Sequence, residues 1–225
     1  MAAGGGHLAL VSLLLSGGAA VDHQDELERN TALHLAAQHG FSQCLALLCS
    51  SRANVYMKNR AGFAALHVAC QHGHNQSCRV LLISGCRPDI KNNVSPSVRP
   101  LPGPCLRVER MKYFQFGDSP LHTAARYGHA GVTRILISAK CRVSLQNKNG
   151  DTALHIAAAM GKRKLTRILV EAGLNINIRN NQGETAAEIA LRKVVPLSAN
   201  QLLDNNYNNI TSIVFVLREK HFISL

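Results

Sequence analysis

The sequence predicts an all-α solenoid of about five stacked two-helix repeats, the first and last incomplete, broken by one disordered insertion. Three observations carry that prediction. Four segments, NTALHLAAQHG (30–40), FAALHVACQHG (63–73), DSPLHTAARYG (118–128) and DTALHIAAAMG (151–161), align without gaps. Their onsets, together with a fifth at ETAAEIALRKV (184–194), are separated by 33, 55, 33 and 33 residues. A fixed period near 33 marks a helical array in which no unit buries its apolar face alone. Finally, the 46% hydrophobic content includes only 4% aromatic residues and no Trp. The core is therefore Ala, Leu, Val and Ile, which suits closely packed helices better than an aromatic-rich sandwich.

The elements follow in chain order. Residues 1–28 read as the second half of a repeat, LALVSLLLSGGAAVDHQD, whose first half is missing. The apolar run resembles a secretory signal but lacks the positive flank, and it matches later helices of the chain. The turn DHQDELERN is one residue longer than its later counterparts, and Arg29 stands where the other repeats carry Gly. This first junction is expected to be looser than the rest. Residues 29–93 form two repeats, 94–116 a Pro-rich insertion, and 117–193 two further repeats and the start of a fifth. Residues 194–225 diverge, and their apolar run ITSIVFVL reads either as a partial cap or as a read-through tail.

Within each repeat, Thr31, Thr152 and Thr185 stand where a helix N-cap is wanted, with Ala64 and Ser119 in the same slot. Pro120 at a first helical position costs no hydrogen bond. Gly40, Gly73, Gly128 and Gly161 end the first helices. Ala pairs at 36–37, 124–125 and 157–158 let helices approach closely, while Leu33, Leu66, Leu121 and Leu154 fill the shared core.

The T-x-L-H-x-A-A signature, the Gly that follows it, and second runs such as CRVLLISGCRPDIKNN and LTRILVEAGLNINIRNN resemble ankyrin repeats. The resemblance covers residues 6–93 and 117–193, and it implies a helix, a turn, a second helix and a projecting finger per unit. It also implies a structural task for His34, His67, His122 and His155, which recur at one repeat position as scaffolding does and an active site does not.

The 55-residue gap exceeds the period by 22, and removing residues 94–115 restores KNN-F-GDSPLH and the rhythm together. That stretch reads as a surface loop emerging at a fingertip or as translated intron sequence. Val-Ser and Tyr-Phe-Gln at its borders fit splice signals, and a TCN codon for Ser95 would eliminate the intron reading. Its prolines lack the i, i+3 spacing of a PxxP ligand.

Other chemistries find little support. Carboxylates are too sparse for a paired acid/base site, no phosphate-cradling Gly loop appears, and no enzyme or cofactor is expected. Seven Cys without a CxxC pair suggest free thiols in a reducing compartment rather than a disulfide framework or zinc site. The sequons at Asn75, Asn93 and Asn209 are taken as chance. No run reaches the length of a membrane span. The net charge of +12 reads as a spread basic surface. Without aromatic platforms or dense Arg clusters, nucleic acid is not the expected partner. A basic nucleic-acid-associated repeat protein remains an alternative, and steep salt dependence of DNA binding would identify it.

The ankyrin resemblance implies a concave contact strip of variable positions. On this chain they are Gln38, His39, Arg60, Phe63, Gln71, His72, Asp118, Arg126, Tyr127, Lys148, Asp151 and Met160, with Ala159 beside the last and Arg192 and Lys193 extending the strip. The variable residues of GFSQ (40–43), KNRAGFAALHVACQHGHNQSCRVLL (58–82), DIKNN (89–93) and GDTALHIAAAMGKRKLTRILVEAGLNINIRNNQGET (150–185) are similar to the later repeats of the diversin and Diego family. That resemblance implies a cytoplasmic scaffold in Wnt and planar cell polarity signalling, with Dishevelled, Axin and casein kinase I epsilon as partners; a monomer is expected. A generic ankyrin adaptor in another pathway is the second reading.

Overall fold

A computed structural model describes residues 1–93 and 117–194. The disordered insertion and the divergent tail expected from sequence lie outside the described residues. Helix α1 (Leu8–Ser16) is followed by α2 (Ala32–His39) and α3 (Ser42–Ser50), then α4 (Ala65–His72) and α5 (Asn75–Ile83). After the insertion come α6 (Pro120–Tyr127), α7 (Ala130–Ser138), α8 (Ala153–Ala159), α9 (Arg163–Glu171) and α10 (Ala186–Val194). The chain divides into two compact units, Met1–Pro120 and Leu121–Leu225.

Each unit is built from the same joints. In the first, α2 packs on α4, α3 on α5, and each first helix on its own second helix. In the second, α8 packs against both α9 and α10, and α9 against α7. Leu33 and Leu66, like Leu121 and Leu154, are buried at every step, and Ala36, Ala37, Ala124, Ala125, Ala157 and Ala158 are sealed from solvent. Helices this short are marginal alone, so tertiary packing of these faces holds them.

The helix starts follow from the Thr slot. The Thr31 and Thr152 side chains accept the N–H of the third helical residue, and His34 and His155 return the bond through Nδ1. The Thr31 and Thr152 N–H groups donate to those nitrogens over 3.2 and 3.1 Å. At the fifth repeat Glu188 replaces the His, accepting from the Thr185 N–H at 2.6 Å. Such caps contribute about 1 kcal/mol each. Ala64 has no hydroxyl to offer, and among the described residues His67 Nδ1 has no hydrogen-bond partner.

The N-terminal half-repeat is uncovered. Val11 is the buried residue of α1, while Leu10 and Leu14 are 45% and 48% exposed. Their counterparts Cys44 and Leu48, or Leu165 and Leu169, are buried because a first helix covers them. The longer turn is visible in the hydrogen bonds. Asp25 N–H donates to the Asn30 carbonyl five residues on, whereas Asn59, Asn147 and Asn180 reach four residues on. Arg29 adopts φ 56, the left-handed conformation its Gly counterparts take with ease. Arg29→Gly is expected to raise stability in urea titration by about 0.5–1 kcal/mol, since the side chain's strain there outweighs its exposed bonds to Gln24. No gain would mean that those bonds offset the strain.

Candidate functional site

The surface available to a partner is set by what the repeat consumes for its own cohesion. In the four fingers after the first, an Asn side-chain oxygen accepts the N–H of the residue after the Gly, while the Asn backbone N–H donates to that residue's carbonyl. Asp25 does the same for Asn30 in the first finger. Asn59 holds Phe63 in this way at 3.0 and 2.9 Å, Asn147 holds Asp151 at 3.0 and 2.9 Å, and Asn180 holds Glu184 at 3.0 and 2.9 Å. Asn92 holds Asp118 at 2.8 Å in both bonds. Here 26 residues separate partners that are otherwise four apart, and the same pair of bonds still forms.

The recurring His then links consecutive fingers. His34 Nε2 donates to the Phe63 carbonyl at 2.9 Å, His67 to Asp118 at 3.1 Å, His122 to Asp151 at 2.9 Å and His155 to Glu184 at 3.2 Å. Burial holds the His34 and His155 imidazoles below their usual pKa and pushes His67 down to about 3, against the opposing pull of the carbonyl bonds. With Nε2 donating, the acceptor nitrogen Nδ1 faces the Thr caps of His34 and His155. These residues are therefore committed to the neutral form and to holding the stack.

Of the twelve strip positions, two are corrected outright. Phe63 is 3% and Asp118 2% exposed. The Phe63 ring lies against His67 at 5.6 Å, and the Asp118 backbone is locked to Asn92 and His67. Two others are partly spoken for. Asp151 Oδ1 accepts from Asn180 Nδ2 at 3.0 Å, and Arg60 Nη1 donates to the Leu27 carbonyl at 3.1 Å. Gln38, Gln71, Arg126, Tyr127 and Met160 are half-buried, and His39, His72, Lys148 and Arg192 are exposed. In the first unit the strip therefore consists of Gln38, His39, Gln71 and His72, and in the second of Arg126, Tyr127, Lys148 and Met160. The His39 ring stacks on Phe41 at 6.2 Å and His72 on His74 at 6.1 Å, giving the first-unit strip two supported rings.

The finger asparagines escaped the sequence reading, yet Asn59, Asn92, Asn147 and Asn180 recur at 33, 55 and 33 residues, the spacing of the TxLH segments. That periodicity was the available signal. Cys44, Cys70, Cys78, Cys86 and Cys141 are buried free thiols, with Cys70 and Cys78 Sγ 3.9 Å apart. Among the described residues, no group of three or more His, Cys, Asp or Glu side chains is placed to hold a metal ion, and no helix is long and apolar enough to cross a membrane.

The model of the ankyrin-repeat family matches this chain in three copies, over residues 1–92, 104–180 and 121–212. The chain belongs to the ankyrin-repeat family. No curated protein matches it. Ankyrin repeats serve widely as protein–protein interaction modules and are typically not enzymes. In this ankyrin chain the His and Asn residues bear the scaffold, and the ends of the first helices offer side chains that the scaffold does not enclose.

Proposed function

We propose that the chain is a non-enzymatic scaffold that binds a protein partner through the ends of its first helices, and that its setting is Wnt and planar cell polarity signalling. The observation that carries the binding surface is the contrast just described. The TxLH histidines are buried, while Arg126 and Tyr127, about one helical turn beyond His122, keep part of their surface in solvent. An aromatic ring beside a guanidinium is the composition of a binding hot spot. The pathway assignment is supported by the variable residues of 58–82 and 150–185, which resemble the diversin and Diego repeats. Dishevelled is the first candidate partner, followed by Axin and casein kinase I epsilon.

The test is calorimetric titration of the chain, with and without residues 94–115, against purified Dishevelled. Arg126→Ala with Tyr127→Ala is expected to weaken binding by roughly thirtyfold, about 2 kcal/mol, with little change in thermal unfolding. Loss of the fold in that variant would make these residues core and remove the strip. Intact folding with no Dishevelled binding by the parent chain would remove the pathway and leave the generic adaptor.

A further inference from the structure

The basic charge of the chain is concentrated. Residues 1–93 hold seven Lys and Arg against five Asp and Glu, whereas residues 121–194 hold twelve against four, a net +8. Three of those four carboxylates are already engaged. Glu184 pairs with Arg192 at 3.4 Å, Glu188 with Arg179 at 3.1 Å, and Asp151 accepts from Asn180. The even spread suggested by the sequence totals is therefore not what the second unit presents.

Within that unit the excess converges on one place. A cavity of about 580 Å³ opens beside the turns at Gly128 and Gly161 and is lined by Lys162, Arg163, Lys164 and Arg167. Arg163, Lys164 and Arg167 are exposed and Lys162 half-buried, its stem lying across Gly128. Among the described residues none of the four is ion-paired to a carboxylate.

The arrangement works against the helix that carries it. Arg163 and Lys164 occupy the first turn of α9, where the backbone dipole disfavours cations, and Glu171 closes the last turn, where it disfavours anions. Arg163 and Arg167 stand i, i+4, and Lys164 and Arg167 i, i+3, so like charges face each other. The other second helices begin with no cation: Ser42-Gln43, Asn75-Gln76 and Ala130-Gly131. A local rule broken at several adjacent positions, with no compensating ion pair, is the expected mark of a functional surface.

We propose that the Lys162–Arg167 face of the second unit binds a carboxylate-rich protein segment. This surface shares no residue with the first-helix strip, although Gly128 and Gly161 of its lining directly follow Tyr127 and Met160, and it stands whether or not that strip binds Dishevelled. The cations surround one compact cavity rather than tracking along the surface, and the lining contains no aromatic ring on which bases would stack, which favours an acidic peptide over nucleic acid.

The test is fluorescence anisotropy of a dye-labelled, ten-residue Glu/Asp peptide titrated with the full chain at low and physiological salt. Arg163→Glu with Lys164→Glu is expected to weaken binding by about tenfold or more, and wild-type affinity to fall as salt screens the charges. The same variant is expected to melt at an equal or higher temperature, because acidic residues suit the first turn of a helix. This sets loss of binding apart from loss of fold. Arg79→Glu, at the repeat position of Arg167 but in the first unit, is expected to leave affinity unchanged. Equal binding by the α9 variant, equal weakening by Arg79→Glu, or no binding by the parent chain at low salt would each overturn the proposal. Tighter capture of a single-stranded oligonucleotide or of anionic phospholipid vesicles through the same four residues would overturn it too, by assigning the face to another class of partner.

Discussion

Lowering the pH from 7 to 4.5 is expected to remove about 2–3 kcal/mol of stability through His67 alone. His67 is fully buried, and its pKa in the folded chain is pushed down to about 3 from an ordinary value near 6.5. The unfolded chain therefore takes up a proton below pH 6.5 that the folded chain refuses. The stabilisation is complete above that value and is lost progressively as the pH falls toward 3. Each pH unit inside the window costs roughly 1.4 kcal/mol per such histidine. His34 and His155 are depressed in the same direction by the same burial and steepen the loss. Urea titrations at half-unit pH intervals measure the effect. A midpoint that holds steady between pH 7 and 5 would contradict the neutral, bond-donating imidazoles on which the finger contacts depend.

The second large effect belongs to the leucine at the heart of a repeat. Leu154 is buried in α8, the helix that packs against both α9 and α10. Leu154→Ala is expected to cost about 2–5 kcal/mol, the lost transfer energy together with the void left behind. Because each repeat is stable only through its neighbours, the damage should spread along the stack. Hydrogen exchange is expected to quicken in α9 and α10 as well as in α8. The same substitution at Leu14, half exposed on α1, is expected to cost under about 1 kcal/mol, because little apolar area leaves water there. Equal costs at the two sites would refute the picture of α1 as an uncovered face.

The fold was legible because its determinants are local and repeated. Thr31, Leu33 and Ala36-Ala37 recur with one period, and each does in the structure what its chemistry suggests in isolation. The reciprocal His34 Nδ1 bond to Thr31 was not legible, because capping boxes are normally completed by Glu or Gln, as Glu188 does at Thr185. Arg52 and Lys140 were also missed. Both are left-handed at the ends of second helices, where Gly18, Gly85 and Gly173 elsewhere mark the requirement. The candidate strip was only partly readable. Phe63 and Asp118 occupy variable positions by register, but register does not report that the Phe63 ring lies against His67 one turn on, or that Asn92, 26 residues back, holds the Asp118 backbone. The α9 cations were visible as letters, but their convergence on one cavity depends on how the turn at Gly161 folds back.

The bonds of Asn92 and His67 to Asp118 carry a consequence for how this gene product tolerates change. They join Asn92 and Asp118, the two sides of the interruption, in the same paired bonds that the uninterrupted fingers make four residues apart. Closing a longer excursion costs only about 0.6 kcal/mol for each doubling of its length. A peptide epitope exchanged for residues 94–115 is therefore expected to leave the bonds of Asp118 to Asn92 and His67 in place.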